Sequence, residues 1–515
     1  MELSVFLSMV MFAVFMVLIL TGYNVAFSFV STALAFSFIG DLTGTFDPNT
    51  LNVLPGRWQN SLEDQTLLAV PLFVLMGAIL ERSGLAERLL NAIGMLMGPL
   101  RGGVAAAVVV VGTLLAAATG VVAATVIVMG LLSLPAMVKL GYDNKLSTGV
   151  IIASGTLAQM LPPSLVLILL AQQLGVGILG LFAGALIPGL ILSGLYISYA
   201  LGISYLRPHL GPAMPKDQRT LVGKVSTLTA AKISLPMALM IGLVMLMASP
   251  KLAFIAVPTV FVLLLGLMMV GGMLTTEVLV SIVPTLVLII GVLFSIFQGI
   301  ATPSESGSVG VLGALMLAVL NWYVDKLLVK DGAAHASAEW QLTPKALKQC
   351  GTSTLNIVVL VMTLLFSSTF FSHMFFQLGG SDQTSEWLTG VGGGKYGFVA
   401  VAMVAVFILG INLEFLEITF IVVPIFVPAM EALGFSSVEK IWFAVLMAVN
   451  LNMAFISPPV GFSLFYLQSV KPPEVSTGDI HKGAIPFMII QSVAIVIFAA
   501  FPGITEFSYR FFSGA

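Results

Sequence analysis

Charge is what this sequence has least of. Asp, Glu, Lys and Arg make up 9% of its 515 residues, where soluble domains carry about 25%. So few charges cannot clothe a water-facing surface. A mean hydropathy of +1.09 and 58% hydrophobic residues point instead to repeated membrane crossings. Cysteine is nearly absent. Cys350 stands alone, which excludes an intrachain disulfide and a thiolate cluster. There is no basic stripe, and a net charge of −2 offers nothing to a nucleic acid. CxxC, HExxH, GxSxG and paired transmembrane haem histidines are all missing. "GVGGGKY" (390–396) lacks the Ser or Thr after Lys395 and the spacing of a phosphate loop. We therefore expect neither an enzyme nor an ATP motor. The run from Val5 to Thr21 has no basic n-region and no small-residue cleavage site, and reads as a retained span rather than a signal peptide.

What the chain does have is apolar runs, most of them long enough to cross ~30 Å of hydrocarbon, read as about twelve spans and two re-entrant candidates. They fall at roughly 3–22, 24–40, 65–81, 103–138, a broken span that includes 154–170, then 180–205, 233–249, 252–273, 276–298, 303–324, 352–376, 396–430, 441–468 and 486–502. The stretches 103–138 and 396–430 are interrupted, near "AAATG" (116–120) and "INLEFLE" (411–417), and are candidates for re-entrant hairpins. A polar loop follows residue 40, a charged interfacial segment spans 81–101, and a Gly-rich loop spans 377–395. The most basic loops are 207–232, with Arg207, Lys216, Arg219, Lys224 and Lys232, and 326–348, with Lys326, Lys330, Lys345 and Lys348. The positive-inside rule places both in the cytoplasm and both termini outside.

The 154–170 segment, "SGTLAQMLPPSLVLILL", is apolar yet carries Pro162 and Pro163 at its middle. Each proline removes a backbone donor and strands the carbonyl four residues back, here those of Ala158 and Gln159. Pro458 and Pro459 do the same to Ala454 and Phe455. The two broken spans belong to an internal repeat. "PAMVKLGY" (135–142) matches "PAMEALGF" (428–435) at five of eight positions, and each copy precedes a Pro-Pro span. Each also follows a break fifteen residues upstream, at Gly120 or at Leu413 beside Glu414. Further upstream, "TLLAVPLF" (66–73) faces "TLLFSSTF" (363–370). The charge rule sends the two copies through the membrane in opposite directions, making an inverted repeat. Broken helices at matching positions of inverted halves mark a transporter site near the midplane.

Several polar residues then become candidates, each with a structural reading beside it. Thr119 and Thr125 in "ATGVVAAT" (118–125) offer oxygens, or simply let helices pack closely. Ser154, Gly155 and Thr156 either unwind and coordinate or serve packing. Glu414 and Glu417 lie inside an apolar stretch, three residues apart and so on one helical face. Intramembrane carboxylates are costly and usually functional, but one can also hold a hairpin tip by bonding a helix N-terminus, the role that suits Glu417. Asn450, Asn452 and Ser457 precede the second Pro-Pro, and Asn can coordinate a cation or bridge helices. Glu305 reads as a helix-start carboxylate, and His373 as a structural histidine.

"AAATGVVAATVIVMGLLSLPAMVKLGY", "ASGTLAQMLPPSLVLILLAQQLGVGILGLFAGALIPGL", "GIATPSESGSVGVLGA" and "LMAVNLNMAFISPPVGFSLFYL" closely resemble the large membrane subunit of tripartite ATP-independent periplasmic (TRAP) transporters, the DctM-like family, in its larger-subunit branch. The resemblance covers most of the chain. It implies an all-α polytopic elevator-type transporter with inverted repeats, two re-entrant hairpins and two broken helices. It implies Na⁺-driven uptake of an organic acid, with no other cofactor, in the cytoplasmic (inner) membrane of a bacterium or archaeon. The partners would be a periplasmic binding protein (DctP-like) and a small membrane subunit (DctQ-like). On this pattern, 1–64 and 176–350 would be scaffold, 65–175 and 351–470 the two repeats, and 471–515 a C-terminal helix. The carried-over site comprises Ala118, Thr119 and Gly120 with Thr125 at the first tip, and Ser154, Gly155, Thr156, Pro162 and Ser164 at the first break. The second tip supplies Asn412, Glu414 and Glu417, and the second break Asn450, Asn452, Ser457, Pro458 and Gly461. Na⁺ would sit at Thr119, Gly120 and Glu414, facing Gly155 and Asn452. This chain departs from the pattern in having Thr119 followed by valines instead of a Ser-rich tip, and Glu414 where many members have Asp. A stand-alone Na⁺- or H⁺-coupled carboxylate transporter of a related elevator fold is the alternative. A membrane anchor of a redox complex would need cofactor ligands the sequence does not supply.

Overall fold

Helices account for every regular element among the described residues, which are 3–64, 67–216, 226–248, 250–330 and 342–513 of a computed structural model. Arg219 and Lys224 of the first basic loop, and Gln65 and Thr66 at the start of the first repeat, lie outside them. Nine helices are long and apolar enough to span a membrane, or up to twelve if each bent pair counts as one, among the described residues.

The chain opens with α1 (Leu3–Leu20) and α2 (Val25–Leu42). The polar segment behind them is not a loop. Asp47 caps a 3-10 turn at Pro48–Val53, which leads into α3 (Leu54–Glu63). Next, α4 (Ala69–Arg82) bends by 62° into the short α5 (Leu85–Met97). The first interrupted stretch is α6 (Gly103–Thr119) and α7 (Val122–Lys139). The first broken span is α8 (Asn144–Thr156), a 3-10 turn at Leu157–Gln159, and α9 (Leu165–Leu174). There follow α10 (Ile178–Leu206), α11 (Thr227–Ala248), α12 (Pro250–Phe297) and α13 (Pro303–Lys330). Gly272, with φ 67° and ψ −152°, divides α12 where the sequence places a boundary between two spans. The second repeat runs through α14 (Pro344–Gln377), α15 (Gly380–Gly390), α16 (Gly394–Gly410), α17 (Phe415–Ile421), α18 (Val423–Ala432), α19 (Ser437–Phe455) and α20 (Phe462–Val470). The chain closes with α21 (Thr477–Ala500) and α22 (Gly503–Ser513).

Two expectations need correction. Residues 380–390, read as a Gly-rich loop, are helical. Their glycines sit at the ends, where Gly379, Gly392 and Gly393 take positive φ and turn the chain. The final span starts at a capping box between Ser476 and Asp479, well before residue 486, and a further helix follows it.

The repeated "PAM…LG" octapeptide turns out to be a helix stop. In the first copy Tyr142 N–H donates to Met137 O and Gly141 N–H to Val138 O, at 3.0 Å each. In the second, Phe435 donates to Met430 O at 2.9 Å and Gly434 to Glu431 O at 3.0 Å. These are the paired bonds of a glycine C-cap, and Gly141 and Gly434 take the left-handed conformation it requires. Asp143 or Ser436 then caps the next helix, so both repeats restart after the same turn.

The repeats exchange partners. α8 packs on α6 and α7, and α19 on α16, within their own repeats. The second half-helices cross over: α9 packs on α17 and α18, and α20 on α7. A Cβ on Gly130 of α7 would lie 2.7 Å from Leu467 of α20, so the glycine permits that approach. A second group of helices, α1–α4 and α11–α14, packs in sequence α1–α2–α14–α4–α13–α12–α11. The short helices α5 and α15 join the groups: α5 packs on α6 and α12, α15 on α18 and α14.

The joint at α5 is electrostatic. Arg88, buried, donates from Nε to Glu277 Oε2 of α12 and from Nη1 to Asp325 Oδ1 of α13, both at 2.9 Å. Nη1 also reaches Asn321 Oδ1 at 2.8 Å, and Asn321 Nδ2 bonds Ser83 O at 3.1 Å. Removing the arginine leaves two carboxylates without their cation. Arg88→Met is therefore expected to destabilise the fold by about 3–5 kcal/mol. Adding Glu277→Gln and Asp325→Asn should restore part of that loss, as read by thermal unfolding in detergent.

Candidate functional site

At the first tip, Gly120 takes φ +62°, and a Cβ there would stand 3.2 Å from Pro163 O. The tip thus rests directly on the first break. Thr119 and Thr125 pair with each other, Oγ1 to Oγ1 at 2.9 Å, and Thr125 Oγ1 also donates to Val121 O at 3.1 Å. Ala118 is buried beside them. On the other side, Gly77 of α4 touches the backbone of Thr119.

At the first break, α8 stays helical through Thr156, so Ser154–Thr156 does not unwind. Ser154 Oγ donates to Ile151 O at 3.1 Å and Thr156 Oγ1 to Ala153 O at 2.9 Å, which uses both hydroxyls within their own helix. Gly155 accommodates Val126 of α7. Departure from the α-helix begins at Leu157, ahead of Pro162. The stranded carbonyl of Gln159 is met by Ser164 Oγ at 3.1 Å. Beyond Ser164, α9 starts with no side-chain cap.

At the second break, Asn450 Nδ2 donates to Met403 O of α16 at 2.6 Å and so bridges two helices. Asn452 is fully buried, and neither end of its amide has a partner. The carbonyl of Ala454, stranded by Pro458, accepts from Ser457 N at 3.0 Å. Gly461 N closes the turn onto Ser457 O at 2.8 Å, and a Cβ on Gly461 would meet Phe455 O at 2.5 Å. Helix α20 also begins without a side-chain cap. The Pro162–Pro163 and Pro458–Pro459 peptides are both cis.

At the second tip, Asn412 is exposed while Glu414 and Glu417 are half-buried. Glu414 is the N-cap of α17, and Glu417 Oε2 accepts from Glu414 N–H at 3.0 Å. Glu414 Oε1 accepts from Tyr466 Oη of α20 at 3.0 Å. Neither carboxylate has an ion-pair partner among the described residues. Glu305 accepts from Thr302 N at 2.8 Å at the start of α13, and His373 Nε2 pairs with Thr50 O at 3.1 Å.

The candidates therefore assemble as two tip-and-break pairs. Tyr466 and the side chain of Gln159 belong with them but were not singled out by sequence. Tyr466 sits in a largely apolar run, and only the folded contact links it to Glu414.

Two inverted sets of hairpin and broken helix, packed on one another in an all-helical membrane protein, define a transporter architecture. The chain belongs to the family described as tripartite ATP-independent periplasmic transporter, DctM component, whose model matches residues 12–278 and 272–504. It is 26% identical to the C4-dicarboxylate TRAP transporter large permease protein DctM of Pseudomonas aeruginosa, over 89% of this chain and 90% of that one. It is 24% identical to the sialic acid TRAP transporter permease protein SiaT of Haemophilus influenzae, over 96% of this chain and 67% of that one. It is 23% identical to the isethionate TRAP transporter permease protein DctMQ of Oleidesulfovibrio alaskensis, over 87% of this chain and 58% of that one. The fold matches that of the YdaH transporter of Alcanivorax borkumensis, with a TM-score of 0.56 at 12% identity, over 89% of this chain and 90% of that one.

The Asn450 bond spans two helices inside the membrane, where such bonds contribute ~0.6 kcal/mol on average and up to about 1.7. Asn450→Leu is expected to lower stability by about that amount, read from the midpoint of thermal unfolding. Gly461→Ala should cost more, because its Cβ would press on backbone atoms that cannot swing away.

Proposed function

We propose that this chain is the large permease subunit of a TRAP transporter of the cytoplasmic membrane, taking up an organic acid with Na⁺. A periplasmic binding protein delivers the substrate, and a small membrane subunit supports the scaffold. The relatives' names support the substrate class: a C4-dicarboxylate, sialic acid and isethionate are all organic anions. The DctMQ relative, of which this chain covers 58%, supports a small-subunit partner by its name.

One observation carries the coupling. Glu414 and Glu417 lie in an apolar stretch with no basic partner among the described residues; α20, whose Tyr466 meets Glu414, and α9, which packs on α17, both begin without side-chain caps. Uncapped helix starts favour an anion. An anion beside a carboxylate is repelled unless a cation stands between them. Na⁺ supplied with the substrate removes the repulsion, so neither ligand binds well alone. The elevator reading rests on the two helix groups: the hairpins and broken helices would move as a body against α1–α4 and α11–α14, guided by α5 and α15.

The test is uptake into proteoliposomes containing this chain and its small subunit, under an inward Na⁺ gradient, with and without the binding protein. Succinate, sialic acid and isethionate are the first probes. Accumulation is expected only with both Na⁺ and the binding protein. Uptake without the binding protein would establish the stand-alone carrier instead, and uptake undiminished without Na⁺ would overturn the coupling. Glu414→Gln should reduce Na⁺-dependent uptake at least tenfold, equivalent to about 1.4 kcal/mol. Tyr466→Phe, which frees Glu414 Oε1, should raise the Na⁺ concentration for half-maximal rate several-fold.

A further inference from the structure

The base of the first hairpin holds a cavity remote from the tip-and-break pairs. It is half open, with a volume of about 160 Å³, close to the ~150 Å³ of an apolar cavity that takes up benzene. Leu90 and Met95 of α5, Val104 and Val108 of α6, and Leu132 and Leu140 of α7 form its walls. From Val108 to Thr119 at the tip is about 16 Å of helix. The segment after α10 contributes Met214, whose N–H donates to Gly98 O at 2.8 Å, and Gly102 N–H donates to Gly211 O of the same segment at 2.9 Å. Gly94 of α5 also lines the cavity, and a Cβ there would meet no atom within 4 Å. Glycine inside a helix is unfavourable relative to alanine, and packing gives no reason for this one. Its effect is to keep the cavity wide.

Three polar residues share the lining. Glu87 and Asn91, one turn apart on α5, are exposed. Ser133 of α7 is 1% exposed, and its hydroxyl has no partner. Glu87 is the one charged residue in the lining, and it has no ion pair among the described residues. The walls suit an apolar ring, the exposed carboxylate a cation, and the buried hydroxyl a hydrogen-bonding group on the ring. We infer that this cavity binds an arylalkylammonium compound. The ring lies between α5, α6 and α7, the ammonium donates to the Glu87 carboxylate and the Asn91 amide oxygen, and a ring hydroxyl bonds Ser133 Oγ. The placement of the cavity links that ligand to transport. Arg88, next to Glu87, ties α5 to α12 and α13, whereas α6 and α7 form the first hairpin. A ligand wedged between α5 and the hairpin joins the two helix groups and slows their relative movement. This consequence rests on the elevator reading above; the binding site does not.

Binding of tyramine, phenethylamine and para-ethylphenol to the purified full-length protein is measured by isothermal titration calorimetry. Tyramine should bind several-fold tighter than para-ethylphenol, which lacks the ammonium, and than phenethylamine, which lacks the hydroxyl. Glu87→Gln should abolish the first preference and Ser133→Ala the second. The first should also shrink as salt rises, because Glu87 is exposed. Gly94→Leu should weaken all three compounds about tenfold. It should melt at or above the wild-type temperature, since leucine favours a helix and its side chain enters the cavity. Uptake is then measured with whichever of succinate, sialic acid or isethionate the wild type accumulates. Tyramine should lower the maximal rate and leave the substrate KM unchanged, and Glu87→Gln should raise the tyramine concentration for half-inhibition several-fold. Equal affinity for the three compounds, or wild-type affinity in Gly94→Leu, would overturn the site. Binding as expected with no effect on uptake would overturn its link to transport. Binding as expected in a protein without Na⁺-driven uptake would establish the site and overturn the transport reading.

Discussion

A peptide group without a partner is expensive in hydrocarbon, and the structure is organised around that cost. Two proline pairs break two helices deep inside the protein. Each break must be enclosed, and each is. The first is covered by the tip at Gly120, with Ser164 bonding the carbonyl of Gln159. The second is closed by Ser457 and Gly461. The crossing of α9 onto the second hairpin and of α20 onto the first then locks each repeat into the other. A broken helix gains two usable ends inside the protein, and the surrounding repeats enclose them.

The few buried charges are divided between two kinds of work. The Arg88 cluster has its cation in place: one guanidinium meets two carboxylates and an amide, and holds a short helix to its neighbours. The second tip is not matched. Glu414 and Glu417 have a phenol and a backbone N–H for company, but no cation. A matched cluster stabilises an arrangement that need not change.

Much of this was readable along the chain because the signals are local. Length and hydropathy mark the spans. Proline marks the breaks. The repeated octapeptide marks a helix stop through the positive φ that Gly141 and Gly434 adopt. Reading failed where a local signal was ambiguous. Glycines around 377–395 suggested a loop, although a helix fits between them. Ser154, Gly155 and Thr156 left unwinding and packing both open, and the structure has them helical and packed against α6 and α7.

The sequence by itself determined the membrane class, the order of spans, the positions of the breaks and the inverted repeat, since each depends on residues within a turn or two of one another. Tertiary structure alone decided which polar groups are satisfied. Arg88 meets Glu277 across 189 residues, and Tyr466 meets Glu414 across 52. Asn450 finds Met403 while Asn452, two residues on, finds nothing. Those outcomes depend on which helices the fold brings side by side, and no periodicity within a single helix encodes its neighbours.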